Sequence, residues 1–175
     1  MIFRFSKAAF FIAAGLCLFQ VPMIAEELPT SSYKVLASQK GLNLFTVRDL
    51  IEKGDESLSQ DDLTQAKDHL DKARKITLQL LGFYRDINGA FRGIDARIPR
   101  EMNTKAREAQ ALLAKTNLRL ASLYRREKQP EVAVPLLVEV LKIMSPTKKE
   151  GQRAYQALLE LGFVETNYEF RINSN

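Results

Sequence analysis

The sequence predicts an all-α domain: an antiparallel α-hairpin stack of about five helices, preceded by an N-terminal signal segment. Three observations carry this expectation. Apolar residues recur at spacings of three and four over most of residues 44–161, which is the period of one helix face. Glycine, proline and Asp/Asn clusters interrupt that pattern at intervals that match helix lengths. No stretch alternates apolar and polar residues strongly enough to read as a strand.

The chain has 175 residues, enough for one domain with its own core once an N-terminal segment is set aside. At 46% hydrophobic and 27% charged residues it has the composition of a globular protein, so wholesale disorder is excluded. Arg4 and Lys7 precede an unbroken apolar run over 8–19, followed by Gln20, Pro22 and then Ala25 before Glu26-Glu27. A positive start, an apolar middle and a small residue at the cut site make a secretory signal. Cleavage after Ala25 is expected, with an uncut N-terminal membrane anchor as the rival. Cys17, the single cysteine, lies inside this run, so the mature chain needs no disulfide. Leu16 before it is too large for a lipoprotein signal.

Residues 26–43 read as a polar tether, 44–165 as the helical domain and 166–175 as a tail. The first helix covers 45–58. A turn at 59–62 follows, in which Asp61 or Asp62 suits the cap of the next helix. That second helix carries Leu63, Ala66, Leu70, Ala73, Thr77, Leu80, Tyr84 and Ile87 on one stripe, and Asn88-Gly89 is expected to end it. A connector with Gly89 and Gly93 leads to Pro99, which can open a helix because its missing N–H is not needed in the first turn. The third helix then spans 100–127, with Ala109, Leu113, Thr116, Leu120 and Leu123 on its stripe. Gln129-Pro130 turns the chain into a nearly apolar fourth helix over 131–144 that contains Pro135. The last helix is expected from Pro146 to Leu161, where Gly162 breaks it, leaving a tail that packs only in part.

Small and large apolar residues recur in a matched order. Gly54, Ala66, Leu70 and Ala73 form one copy; Leu120, Ala121, Tyr124, Ala133, Leu137 and Val140 form the other, displaced by 67 residues. This is the order in which the tetratricopeptide consensus places its small and large residues, and the chain resembles tetratricopeptide-type helical repeat proteins over these two units. Leu50 and Asn117 stand where that family has Trp, Lys53 and Ser57 depart in the first unit, and the stretch between the copies does not follow the consensus. A plain four- or five-helix bundle remains the other architecture these residues allow. A small exported protein of this kind also looks similar to proteins of photosynthetic bacteria, which implies a periplasm or a thylakoid lumen.

The family resemblance implies that the first helix of each unit lines a concave binding face. In the second unit it points to Lys115, Leu118, Arg119, Ser122, Arg125 and Arg126. Of these, Lys115, Arg119, Ser122, Arg125 and Arg126 are the candidate partner-binding residues. Lys115 and Arg119 match half of a clamp for acidic C-terminal tails in that family; the other half falls on Ile51 and Asp55, which do not match. Arg can meet a carboxylate with two parallel hydrogen bonds and Lys adds a point charge.

Charge is distributed unevenly. Residues 49–72 hold eight acids and three bases, whereas 92–128 hold ten bases and four acids. This favours an acidic protein segment, an anionic membrane surface or pairing within the chain, and sparse interleaved aromatics argue against nucleic acid. No nucleophile–base pair, phosphate loop or metal-ligand spacing is present, and the lone His69 makes a poor metal site, so no enzyme, cofactor, metal or small-molecule substrate is expected. The expected function is an exported interaction scaffold or assembly factor. The alternative is a structural helical subunit of a larger membrane-associated complex.

Overall fold

The computed structural model describes residues 41–168, which form five helices with no strand among the described residues. The segment expected to be a signal or anchor, 1–25, most of the expected tether and the last seven residues of the expected tail lie outside them. The helices are α1 (Leu44–Ser59), α2 (Leu63–Ala90), α3 (Arg97–Arg126), α4 (Pro130–Met144) and α5 (Lys149–Glu160). Among them no helix is long and apolar enough to cross a membrane.

Each helix packs chiefly on its sequence neighbour, and α3 also touches both α1 and α5. Local chemistry sets the boundaries. Asn43 caps α1 by accepting a hydrogen bond from the Thr46 N–H at 2.8 Å, and Asp62 caps α2 through the Gln65 N–H at 2.9 Å. Asp61, at φ +62, makes the left-handed corner between them. The predicted stripe on α2 is buried: Ala66, Leu70, Ala73, Thr77, Leu80 and Tyr84 face the core, and Ile87 packs against its edge.

Three boundaries differ from the sequence expectation. The second helix runs through Gly89 to Ala90, and the turn is made by Gly93 at φ +84 instead. The third begins at Arg97, with Pro99 inside its first turn, because the Asp95 carboxylate accepts the Arg97 N–H at 2.8 Å and starts the helix earlier. The last helix starts at Lys149, not at Pro146. Ser145 takes φ +60 and its carbonyl accepts the Lys148 N–H, so residues 145–148 form a turn. Residues 81–113 make no hairpin of their own. They are the continuation of α2 and α3 together with the connector, which is why the two similar units stand 67 residues apart.

The core has two parts. One, around Leu70, Leu120, Tyr124, Leu137 and Leu158, joins α2 through α5. The other, around Val47, Ile51, Leu80, Tyr84 and Met102, joins α1, the C-terminal half of α2 and the N-terminal half of α3. Asn117 is fully buried and ties three helices together. It accepts from Arg74 Nε at 3.0 Å and donates to Glu139 Oε2 at 3.0 Å, and Glu139 also accepts from Arg74 Nη2 at 2.6 Å. The described part of the tail folds back on α5: Val164 packs on the core and the Tyr155 hydroxyl donates to the Thr166 carbonyl at 2.6 Å.

Candidate partner-binding groove

Two contacts, α1 with α3 and α3 with α5, place alternate helices side by side and leave a concave face along α3. A groove of about 560 Å³ opens there. Its floor is apolar: Leu118 and Ala121 from α3, Leu137 from α4, Ala157 from α5 and Leu58 from α1. Lys115, Arg119, Ser122 and Arg125 lie along one side, and Glu150 and Arg153 of α5 face them from the other. Four of the five candidate residues are therefore brought together, because positions 115, 119, 122 and 125 fall on one face of a helix at its three-to-four residue repeat.

Arg126 is separated from this set. It extends to Asp61 in the corner between α1 and α2 and does not line the groove. Arg119 is in the groove but engaged: its Nε and Nη2 reach both oxygens of Asp55, the second at 2.7 Å. Asp55 stands where the half-clamp would need its complement, so in this chain it neutralises Arg119 instead of adding to the binding charge. Arg125 is held by Glu160 at 2.7 Å. That hydrogen bond and the further one from Gln156 hold the Glu160 carboxyl below the usual glutamate range. Of the pairing readings left open by the charge asymmetry, pairing within the chain thus accounts for Arg119 and Arg126.

Of the four cations that line the groove, Lys115 and Arg153 have no ion-pair partner among the described residues. Lys115 is exposed, and only its backbone carbonyl is used, by Arg119 Nη1 at 3.4 Å. Arg153 was not among the residues picked out in the sequence. α5 lies beyond the two units that carry the repeat pattern; the repeat offset that selected Lys115 and Arg119, carried one unit further, is the signal that reaches it. Ser122 is exposed on the groove wall and adds a hydroxyl able to donate or accept.

The remaining chemistry is sparse. The buried His69 Nδ1 has no hydrogen-bond partner among the described residues, and no group of three His, Cys, Asp or Glu side chains is placed there as metal ligands would be. No protein-family model, no curated protein and no solved structure matches this chain.

Proposed function

We propose that this chain is a non-enzymatic scaffold or assembly factor that holds an acidic segment of a partner protein in the groove between α1, α3 and α5. The observation that carries this is the pair of unneutralised cations, Lys115 and Arg153, standing over an apolar floor. A segment with one apolar side chain directed at Leu118 and Leu137, and carboxylates on either side, satisfies both features. Unpaired exposed cations cost little in the free protein and gain a charge-assisted hydrogen bond on binding.

The finer architecture we propose is a tetratricopeptide-like array. Support comes from two features. Gly54 lies directly against Leu70, a small residue meeting a large one in the order of the family's consensus, and a Cβ there would stand 2.9 Å from Leu70 Cγ. The first helices of the two units, α1 and α3, are also neighbours, with α5 in the place of a third. We further propose export to a periplasm or thylakoid lumen, supported by the positive, apolar and small-residue order of residues 1–25.

The exposed Val132 and Val138 on α4 favour a second reading, a permanent helical subunit of a membrane-associated complex. The two readings separate in one experiment. Tagged full-length protein is recovered from its native cells in mild detergent beside a Lys115→Glu, Arg153→Glu variant. A discrete partner lost from the folded variant supports the groove. A partner retained by that variant but lost from a Val132→Lys, Val138→Lys variant supports the subunit.

A further inference from the structure

We infer that the end of the domain formed by the α2–α3 connector is a docking face for an anionic lipid bilayer. The sites differ: this end lies away from the groove, and the inference stands independently of the partner proposed there.

The two longest helices create this end. α2 and α3 have 28 and 30 residues, against 16 in α1 and 15 in α4, so their paired ends extend beyond their shorter neighbours. Leu44 at the start of α1 packs into the same cluster as Ile87 and Ile98, so α1 begins in the half of the domain nearer this end. Large apolar side chains are exposed here. In the connector Ile94 is 77% exposed and Phe91 is also open to solvent; further down this half of the domain Phe83 on α2 and Phe45 at the start of α1 are exposed as well. A soluble surface scatters such residues singly; two within one short connector, with others on the same half of the domain, mark an interaction face.

Charge selects the occupant. Between 85 and 107 the chain carries six bases and three acids. Each acid faces a cation of its own: Asp86 lies 3.7 Å from Arg85, Asp95 2.7 Å from Arg97 and Glu101 2.6 Å from Lys105. Arg92, Arg100 and Arg107 have no ion-pair partner among the described residues. Apolar side chains at a tip with unpaired arginines behind them match the interface of an anionic bilayer, where rings and aliphatic chains enter the acyl boundary and guanidinium groups meet phosphates. The tip is held in shape for this. Asn88 Nδ2 donates to the Pro99 carbonyl at 3.2 Å and to Asn103 Oδ1 at 2.7 Å, fixing the two helices across the connector.

The chain contains no tryptophan, so Ile94→Trp gives a single reporter at the tip. Phe163→Trp is its control, because Phe163 follows Glu160, which meets Arg125 at the opposite end of α3. Full-length variants are mixed with vesicles of phosphatidylcholine alone or with phosphatidylserine or phosphatidylglycerol added. The expected result is a blue shift of the residue-94 emission with anionic vesicles only, none at 163, and loss of the shift at high salt. In co-sedimentation, Arg92→Glu and Arg100→Glu each weaken binding to anionic vesicles by at least about fivefold, and Ile94→Glu weakens it further. Three outcomes overturn the inference. Equal shifts at 94 and 163 assign no orientation to the tip. Unchanged sedimentation of all three variants assigns the binding to residues 8–19. A residue-94 emission already blue-shifted without lipid shows that protein, from this chain or a second copy, covers the end instead.

Discussion

Arg119 and Asp55 close on each other across the gap between α1 and α3, through both nitrogens of one side of the guanidinium fork, 64 positions apart in the chain. The pair sits at the edge of the groove with 27% of the arginine and 41% of the aspartate side chain exposed, so solvent screens it. Asp55→Ala is expected to lower stability by only about 0.2–1 kcal/mol, measured by urea denaturation. The same change frees Arg119 beside Lys115. Under the proposed function an acidic peptide then binds about tenfold more tightly, as one added charge-assisted contact allows, and fluorescence anisotropy with a labelled glutamate-rich peptide measures it. Unchanged affinity with intact folding would place the peptide elsewhere.

The close approaches of two glycines predict different costs. A methyl group at Gly54 meets Leu70 Cγ and Cδ2 at 2.9 Å, whereas one at Gly151 meets the Ser145 carbonyl oxygen at 1.9 Å. Leu70 can shift by a few tenths of an ångström; a backbone carbonyl in a tight turn cannot. Gly54→Ala should destabilise by about 1 kcal/mol after the better helix propensity of alanine is counted, and Gly151→Ala by about 3 kcal/mol. Thermal unfolding of the two variants side by side checks the order, and equal costs would mean that the turn at 145–148 yields.

How much of this was legible in the sequence depended on the range of the interaction. Asp62 as a cap, the α2 stripe and the small-against-large contact of Gly54 with Leu70 are local or periodic, and the sequence pattern placed them. Gly89 and Gly93 look alike in the sequence. Only Gly93 takes a positive φ; α2 continues through Gly89 to Ala90, with Ile87 still packed against the core. The charge asymmetry between 49–72 and 92–128 was visible, but its consequence, Asp55 and Asp61 binding Arg119 and Arg126, needed the fold. Arg153 lies beyond the two units over which the repeat resemblance runs, so that resemblance did not reach it.

Asn117 occupies a fully buried position where the family resemblance leads one to expect a large aromatic ring. Its amide joins Arg74 and Glu139, so it substitutes a polar tie for apolar volume. Asn117→Leu removes both hydrogen bonds and leaves Arg74 and Glu139 to each other. The expected loss is about 1–3 kcal/mol, with non-additivity when combined with Glu139→Gln in a double-mutant cycle read by urea denaturation. Strict additivity would show that the three side chains do not act together.

The contact between α3 and α5 should respond to acid through Glu160. Its carboxyl titrates below the ordinary glutamate value of 4.5, first because of the hydrogen bond from Arg125 and next because of that from Gln156. A carboxyl with a lower pKa in the folded state than in the unfolded chain adds stability that is complete above the unfolded value. That stability is lost as the pH falls through the folded value. Asp95 behaves in the same sense through Arg97. Asp71 opposes both: burial raises its carboxyl, so its contribution is present in acid and lost as the pH rises through its folded value. Carboxyl-resolved NMR titration of wild type and Arg125→Ala separates these. In the variant Glu160 should titrate closer to 4.5, retaining only the part due to Gln156, while Asp71 is unmoved. Amide exchange at the C-terminal end of α5 should then quicken in wild type only below the Glu160 midpoint, and in the variant at every pH. Identical Glu160 titrations in the two proteins would show that Arg125 does not hold α5 against α3 in solution.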